Sequence, residues 1–162
     1  MIVVSDASPL ISLGAVGRIE LLRQLFGEIS IPPAVLQEVT EAGEERPGAV
    51  EVQTASWIVS RTVESEFLPR ALEGELDRGE AEAIALAIQL QADLLVVDER
   101  RGRRVASRFG LKVVGVLGIL VAAKRQGFLL KIEPVLGDLR DRAGFRVSPA
   151  LYQRALEEVG EA

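Results

Sequence analysis

Five short runs rich in β-branched and aliphatic residues punctuate the chain: Ile2–Ser5, Glu28–Ile31, Trp57–Ser60, Asp93–Val97 and Lys112–Val114. None shows clean alternation of polar and apolar positions over its length. A strand with one face in water alternates, whereas a strand covered on both faces need not. Between the runs lie segments with helical spacing. Ser8-Pro9 reads as a helix start, because serine caps and proline suits a first turn. Ile19–Phe26 is a second helical face, ended by Gly27. Pro32-Pro33 restarts the chain as a helix that frays by Gly43, and Glu44–Gly48 reads as a loop. A further helix is expected before Trp57 and a short one within Leu68–Gly79. The alanine-rich Glu80–Leu90 is the clearest helix. Arg101–Phe109, Val116–Arg125 and Pro149–Val159 complete the set. Strand and helix alternate from start to end, which predicts an α/β fold with a central parallel β-sheet flanked by helices on both faces.

At 162 residues, 48% of them apolar, the chain suits a single domain over 1–162 with one core. It contains no cysteine and no histidine. Disulfides, thiolate metal sites, cysteine nucleophiles, imidazole bases and histidine zinc sites are therefore excluded. Any catalysis must run on carboxylates, hydroxyls, lysine or arginine, or on a hard cation held by oxygen. No apolar run has the length of a membrane span, and Met1–Asp6 has no basic leader-like region, so a cytoplasmic protein without membrane attachment is expected. The net charge is −5 but unevenly spread. Glu38–Glu82 holds 12 acids and 4 bases, and Asp98–Lys112 holds 2 acids and 6 bases. That asymmetry is compatible with an acidic pocket beside a basic rim, and equally with solvated faces of opposite sign.

In open α/β sheets, ligands bind beyond the carboxyl ends of the strands. Two expected strands lead into aspartates, Asp6 and Asp98, although an aspartate there is also an ordinary helix cap. Glu38 lies on an otherwise apolar helical segment. Glu80 opens the alanine-rich helix, where an acid also suits the helix dipole. Glu82, two residues on, points to a different side, so at most one of the two is central. Four carboxylates at one sheet edge would repel and raise one another's pKa unless a cation sat among them. Hard divalent ions favour such oxygen sites, and the matching chemistry is phosphodiester hydrolysis.

The segments Val3-Val4-Ser5-Asp6-Ala7-Ser8-Pro9-Leu10-Ile11, Pro33–Val39, Gly79–Ala87 and Leu95-Val96-Val97-Asp98 together resemble the PIN-domain family, and most closely its small prokaryotic VapC-like branch. The resemblance implies a Mg²⁺- or Mn²⁺-dependent ribonuclease acting on RNA, usually a homodimer, with a small antitoxin protein as partner where the member is a toxin. It carries the first, second and fourth acids onto Asp6, Glu38 and Asp98. The third is commonly an aspartate 18 residues before the fourth, a position held here by Glu80, with Glu82 and Asp77 nearby. Ser8, rather than Ser5, matches a supporting hydroxyl near the first acid. After Asp98 the chain departs from the family pattern, reading Glu99-Arg100-Arg101-Gly102-Arg103-Arg104. Glu99 is a weaker candidate ligand. Arg101 and Arg104 are the expected RNA contacts, since guanidinium binds phosphate bidentately.

Other readings fit less well. A receiver-type phosphoacceptor would need adjacent acids after the first strand, and Ser5 precedes Asp6. A haloacid-dehalogenase-like phosphatase needs an acid at position 8, which is serine. Nucleotide folds with glycine fingerprints lack their motifs here. A catalytically silent PIN-like module that binds RNA or protein is the standing alternative.

Overall fold

The structure is a computed structural model and describes residues 1–41 and 48–162. Five strands form one parallel sheet: β1 (Val3–Ser5), β2 (Ile29–Ile31), β3 (Ile58–Ser60), β4 (Leu94–Val96) and β5 (Val113–Val114), in the spatial order β3-β2-β1-β4-β5. All three residues of β1 and all three of β2 are buried, so side chains on both faces of these strands are covered. That explains the missing polar alternation and agrees with the three-layer expectation.

Ten helices are present among the described residues: α1 (Ala7–Ala15), α2 (Glu20–Phe26), α3 (Pro33–Thr40), α4 (Ala49–Thr54), α5 (Phe67–Leu72), α6 (Arg78–Gln89), α7 (Arg100–Arg108), α8 (Val116–Arg125), α9 (Glu133–Ala143) and α10 (Pro149–Glu158). The expected fraying at Gly43 and most of the expected Glu44–Gly48 loop lie outside the described residues. Two readings need correction. Helix α1 starts at Ala7 with Asp6 in the cap position, so Ser8 is not the cap and Pro9 falls in the first turn, where its missing N–H costs nothing. Helix α9 has no counterpart in the sequence expectation. Its Pro134 and Gly137 suppress the helical signal, yet Pro134 sits in the first turn. Ile132, Val135, Leu136 and Leu139 follow the i, i+3, i+4, i+7 spacing and are all buried.

The core runs through both layers and includes Leu10, Leu13, Leu22, Ile84, Leu86, Ile119, Leu120 and Leu139, each essentially inaccessible. Burying one such side chain contributes about 1.5–3 kcal/mol. Helix α6 is buried from Gly79 to Ala87, and its alanines let it lie close against β1, β4, α3 and α5. The strand order reverses between β1 and β4, which pair with Ser5 opposite Val96. Such a switch point opens a crevice at the carboxyl end of the sheet. Asp6 and Asp98 follow those two strands.

Candidate functional site

Asp6 leaves β1 with its backbone N–H bonded to Val96 O (2.9 Å), which fixes it beside the end of β4. Only 3% of it is exposed, and although it holds the cap position of α1 and the Ala7 N–H favours its charge, its side chain makes no capping hydrogen bond to the helix. Glu38 comes from the last half of α3. Glu80 enters from the first turn of α6 at 4% exposure. Gly79 shows how closely these acids stand. A Cβ built on it would lie 3.0 Å from Glu38 Oε1, 3.6 Å from Asp77 Oδ1 and 3.7 Å from Asp6 Oδ1. Glycine leaves the space into which three carboxylates project.

In the sequence Asp77 stands only as a rival for the third position. In the structure it caps α6, accepting from the Glu80 N–H at 2.8 Å. The spacing Asp77-Arg78-Gly79-Glu80 is a capping-box pattern, a signal legible in the sequence. Glu82 has a different task. Its Oε1 accepts from the Ala34 N–H (3.2 Å) in the first turn of α3, and its Oε2 pairs with Arg78 Nε (3.1 Å). It stitches α6 to α3 with its oxygens already engaged. Glu80, by contrast, has Oε2 buried without a hydrogen-bond partner.

Asp98 projects from the end of β4. Its Oδ1 accepts from the Val116 N–H (2.8 Å) at the start of α8, and its Oδ2 is buried and unpartnered. Gly115 makes room for it, since a Cβ there would lie 2.5 Å from Asp98 Oδ1 and 2.9 Å from Arg103 Nη1. Arg103 is the residue that sequence reading missed. It donates to Val97 O (3.3 Å) and stands by Asp98. A helix period from Arg100 would have separated it from Arg101 and Arg104. Those two line a shallow depression with Glu75, Val105 and Arg108 on another face of α7. Arg101 also lies near enough to Glu80 to favour its charge. Glu99 is exposed in the cap position of α7, and Ser8 is half-buried in α1. Ser5 is buried and its hydroxyl donates to Asp6 O (2.9 Å).

The electrostatics follow from burial. Asp6 is pushed up to about 8, first by desolvation and then by the Glu80, Asp77 and Glu38 carboxylates, against the Ala7 N–H. Glu80 is pushed up to about 7 by desolvation, Asp77 and Glu99, opposed by the Asp77 N–H and Arg101. Asp98 is also raised by burial, with the Val116 N–H and Arg103 opposing. In all three the neutral form is favoured relative to an ordinary carboxyl, as expected of buried acids short of positive charge.

The donor set fits a hard divalent cation: carboxylate oxygens only, two of them buried and unbonded. Among the described residues no three Asp or Glu are gathered tightly enough to hold an ion as they stand.

Residues 2–161 match a family model described as DUF3368, PIN domain. Among solved structures, a PilT N-terminus domain protein from the hyperthermophilic archaeon Sulfolobus solfataricus superposes with a TM-score of 0.58 at 18% identity, over 76% of this chain and 93% of that one. At that identity the likeness concerns the fold. No curated protein matches the sequence significantly. Among the described residues no helix is long and apolar enough to cross a membrane.

Proposed function

Because the chain belongs to the PIN-domain family, whose members are usually nucleases, we propose that it is a divalent-metal-dependent ribonuclease that hydrolyses RNA phosphodiesters as a single domain over 1–162. The observation that carries this reading is the set of buried and half-buried acids at the β1/β4 switch point, two of which keep an unbonded oxygen. Asp6, Glu38, Glu80 and Asp98 are the residues that would hold Mg²⁺ or Mn²⁺. When bound, the cation supplies charge neutralisation for the scissile phosphate and acidifies a water at neutral pH.

The chain's own groups do the rest. Burial keeps bulk water from the carboxylates, which strengthens every interaction they make. Asp77 and Val116 orient Glu80 and Asp98 through hydrogen bonds at helix starts. Arg103, tied to Val97 O and set beside Asp98, places a guanidinium where a phosphate would approach. Glu80 in place of the common aspartate lengthens the third arm, and Gly102 lies against it, 3.7 Å from a Cβ there to Glu80 Cδ. Glu82 stays outside this set because its oxygens serve Ala34 and Arg78. From the resemblance of its motifs we further infer a member of the VapC-like branch: a cytoplasmic homodimer acting as the toxin of a pair with a small antitoxin.

A silent RNA- or protein-binding module is the second reading, favoured by the acids not being gathered for an ion. Calorimetric titration with Mn²⁺ separates the two. The nuclease reading expects binding that is lost in Asp6→Asn and in Glu80→Gln and is retained in Glu82→Gln. Absence of Mn²⁺ binding by folded protein at pH 7.5 contradicts it.

A further inference from the structure

A groove of about 940 Å³ has Asp98 in its lining, while Asp6, Glu38 and Glu80 do not line it. Its near end is formed by Asp98, Glu99, Arg100 and Arg103. The floor is apolar, with Val114, Leu117 and Val121 of β5 and α8. The far wall is built by the link before α10 and by α10 itself, which bring Phe145, Arg146, Leu151 and Arg154 to face α8. Five arginines from four segments stand around this space, against three acids, Asp98, Glu99 and Glu158. Arg125 is 3.8 Å from Glu158, and Arg103 is engaged by Val97 O. The side chains of Arg100, Arg146 and Arg154 make no hydrogen bond or ion pair among the described residues.

We propose that this groove holds single-stranded RNA continuing past the scissile phosphate, with Arg146 and Arg154 as positioning residues for its backbone; the proposal rests on the ribonuclease reading of the Asp98 edge. Three observations converge on that occupant. The groove shares Asp98 with the acid site, so a strand whose phosphate lies at the acids has its next nucleotides here. Five arginines against three acids line the groove, an excess of positive charge that suits a ligand with one negative charge per nucleotide. The floor offers apolar side chains and one aromatic, Phe145, to base faces, and only an unpaired strand can turn its bases onto such a floor. The volume is near the top of the range of small-ligand pockets, room for a short run of nucleotides.

The test uses the full chain and two readouts. In EDTA, binding of a fluorescein-labelled 12-nucleotide single-stranded RNA is followed by anisotropy for wild type, for Arg146→Ala/Arg154→Ala, and for a charge-matched control. The control is Arg18→Ala/Lys131→Ala, which removes two exposed cations outside the groove. All four side chains are exposed, and thermal melts verify that each variant folds. The double groove variant is expected to bind about 10- to 100-fold more weakly at low salt. Its log–log salt slope is expected to be shallower by about 1.4, since each lost phosphate contact removes about 0.7 on a single strand. In Mn²⁺, KM for the 12-mer rises with kcat held, and cleavage of a trinucleotide is unaffected.

Equal binding by wild type and groove variant overturns the proposal, as does an equal loss in the control. Absence of RNA binding by folded wild type at low salt also overturns it, and so does duplex RNA bound as tightly as the single strand. If the ribonuclease reading alone fails, no Mn²⁺-dependent cleavage appears while the anisotropy difference persists. If the groove proposal alone fails, cleavage depends on Asp98 but neither binding nor KM responds to Arg146 and Arg154.

Discussion

Replacing Asp6 by asparagine removes a buried ionisable group whose charged form the metal-free protein tolerates poorly. With its folded pKa near 8 and an ordinary value of 3.8, Asp6 takes up a proton on folding at every pH between those limits. The sign follows. The contribution of Asp6 is complete below pH 4 and is lost as pH rises through 8, at a rate of about 1.4 kcal/mol per pH unit. From pH 5 to 7 the metal-free wild type should thus lose at most about 3 kcal/mol on this account. The asparagine side chain has the shape of the protonated acid and does not titrate, so Asp6→Asn keeps that stability. Glu80, raised less, still contributes a slope of the same sign in both proteins.

The assay is urea unfolding in EDTA at pH 5, 6, 7 and 8. The difference in stability, variant minus wild type, should grow with pH, and excess Mn²⁺ should reverse the order by stabilising wild type alone. Parallel stability–pH curves would falsify the assignment of Asp6 as a buried carboxylate starved of positive charge.

Glu82→Ala should destabilise the fold by about 1–3 kcal/mol, because the Ala34 N–H and Arg78 lose their acceptor, while Mn²⁺ affinity is unchanged; Glu80→Gln should do the reverse, which denaturation and titration together check. Gly115→Ala brings a methyl to 2.5 Å from Asp98 Oδ1, so RNA cleavage should fall at least tenfold with a small loss of melting temperature. Glu161 accepts from the Ile132 N–H (2.7 Å), the Glu133 N–H (3.1 Å) and Lys124 Nζ (2.8 Å), pinning the segment after α10 to the start of α9. Glu161→Ala should cost about 1–3 kcal/mol in urea unfolding. Desolvation pushes its carboxyl up, but Lys124 and the two N–H groups together outweigh it and hold the group below the usual range. Its contribution is therefore present above that range and fades as the solution is made acid.

Much of this arrangement is legible because local pattern and chemistry agree. Strand runs without alternation point to the parallel sheet, and strand ends point to Asp6 and Asp98. Glu80 and Glu82 are separable in principle, since residues two apart on a helix diverge. What stays hidden depends on contacts between segments distant in the chain. Nothing near Glu82 in sequence reveals that its oxygen meets the Ala34 N–H, 48 positions away. Nothing near Asp98 reveals that the start of α8 supplies its hydrogen bond. Arg103 looks like its neighbours in an arginine run, and only the fold turns it toward Asp98. Helix α9 escapes a sequence reading that gives Pro134 and Gly137 the weight they carry in a helix interior. One of them sits in the first turn, where the penalty vanishes.

The most direct measurement is cleavage of an end-labelled pool of single-stranded and hairpin RNAs by wild type and Asp98→Asn, each with Mn²⁺, Mg²⁺ or EDTA. Asparagine keeps an oxygen for the Val116 N–H, so the variant should fold and melt no lower than wild type. Wild type should cleave only when a divalent ion is present, and the variant should lose on the order of 100-fold or more of that activity. Cleavage that survives EDTA, or that Asp98→Asn leaves intact, would contradict a metal-dependent site built on these acids.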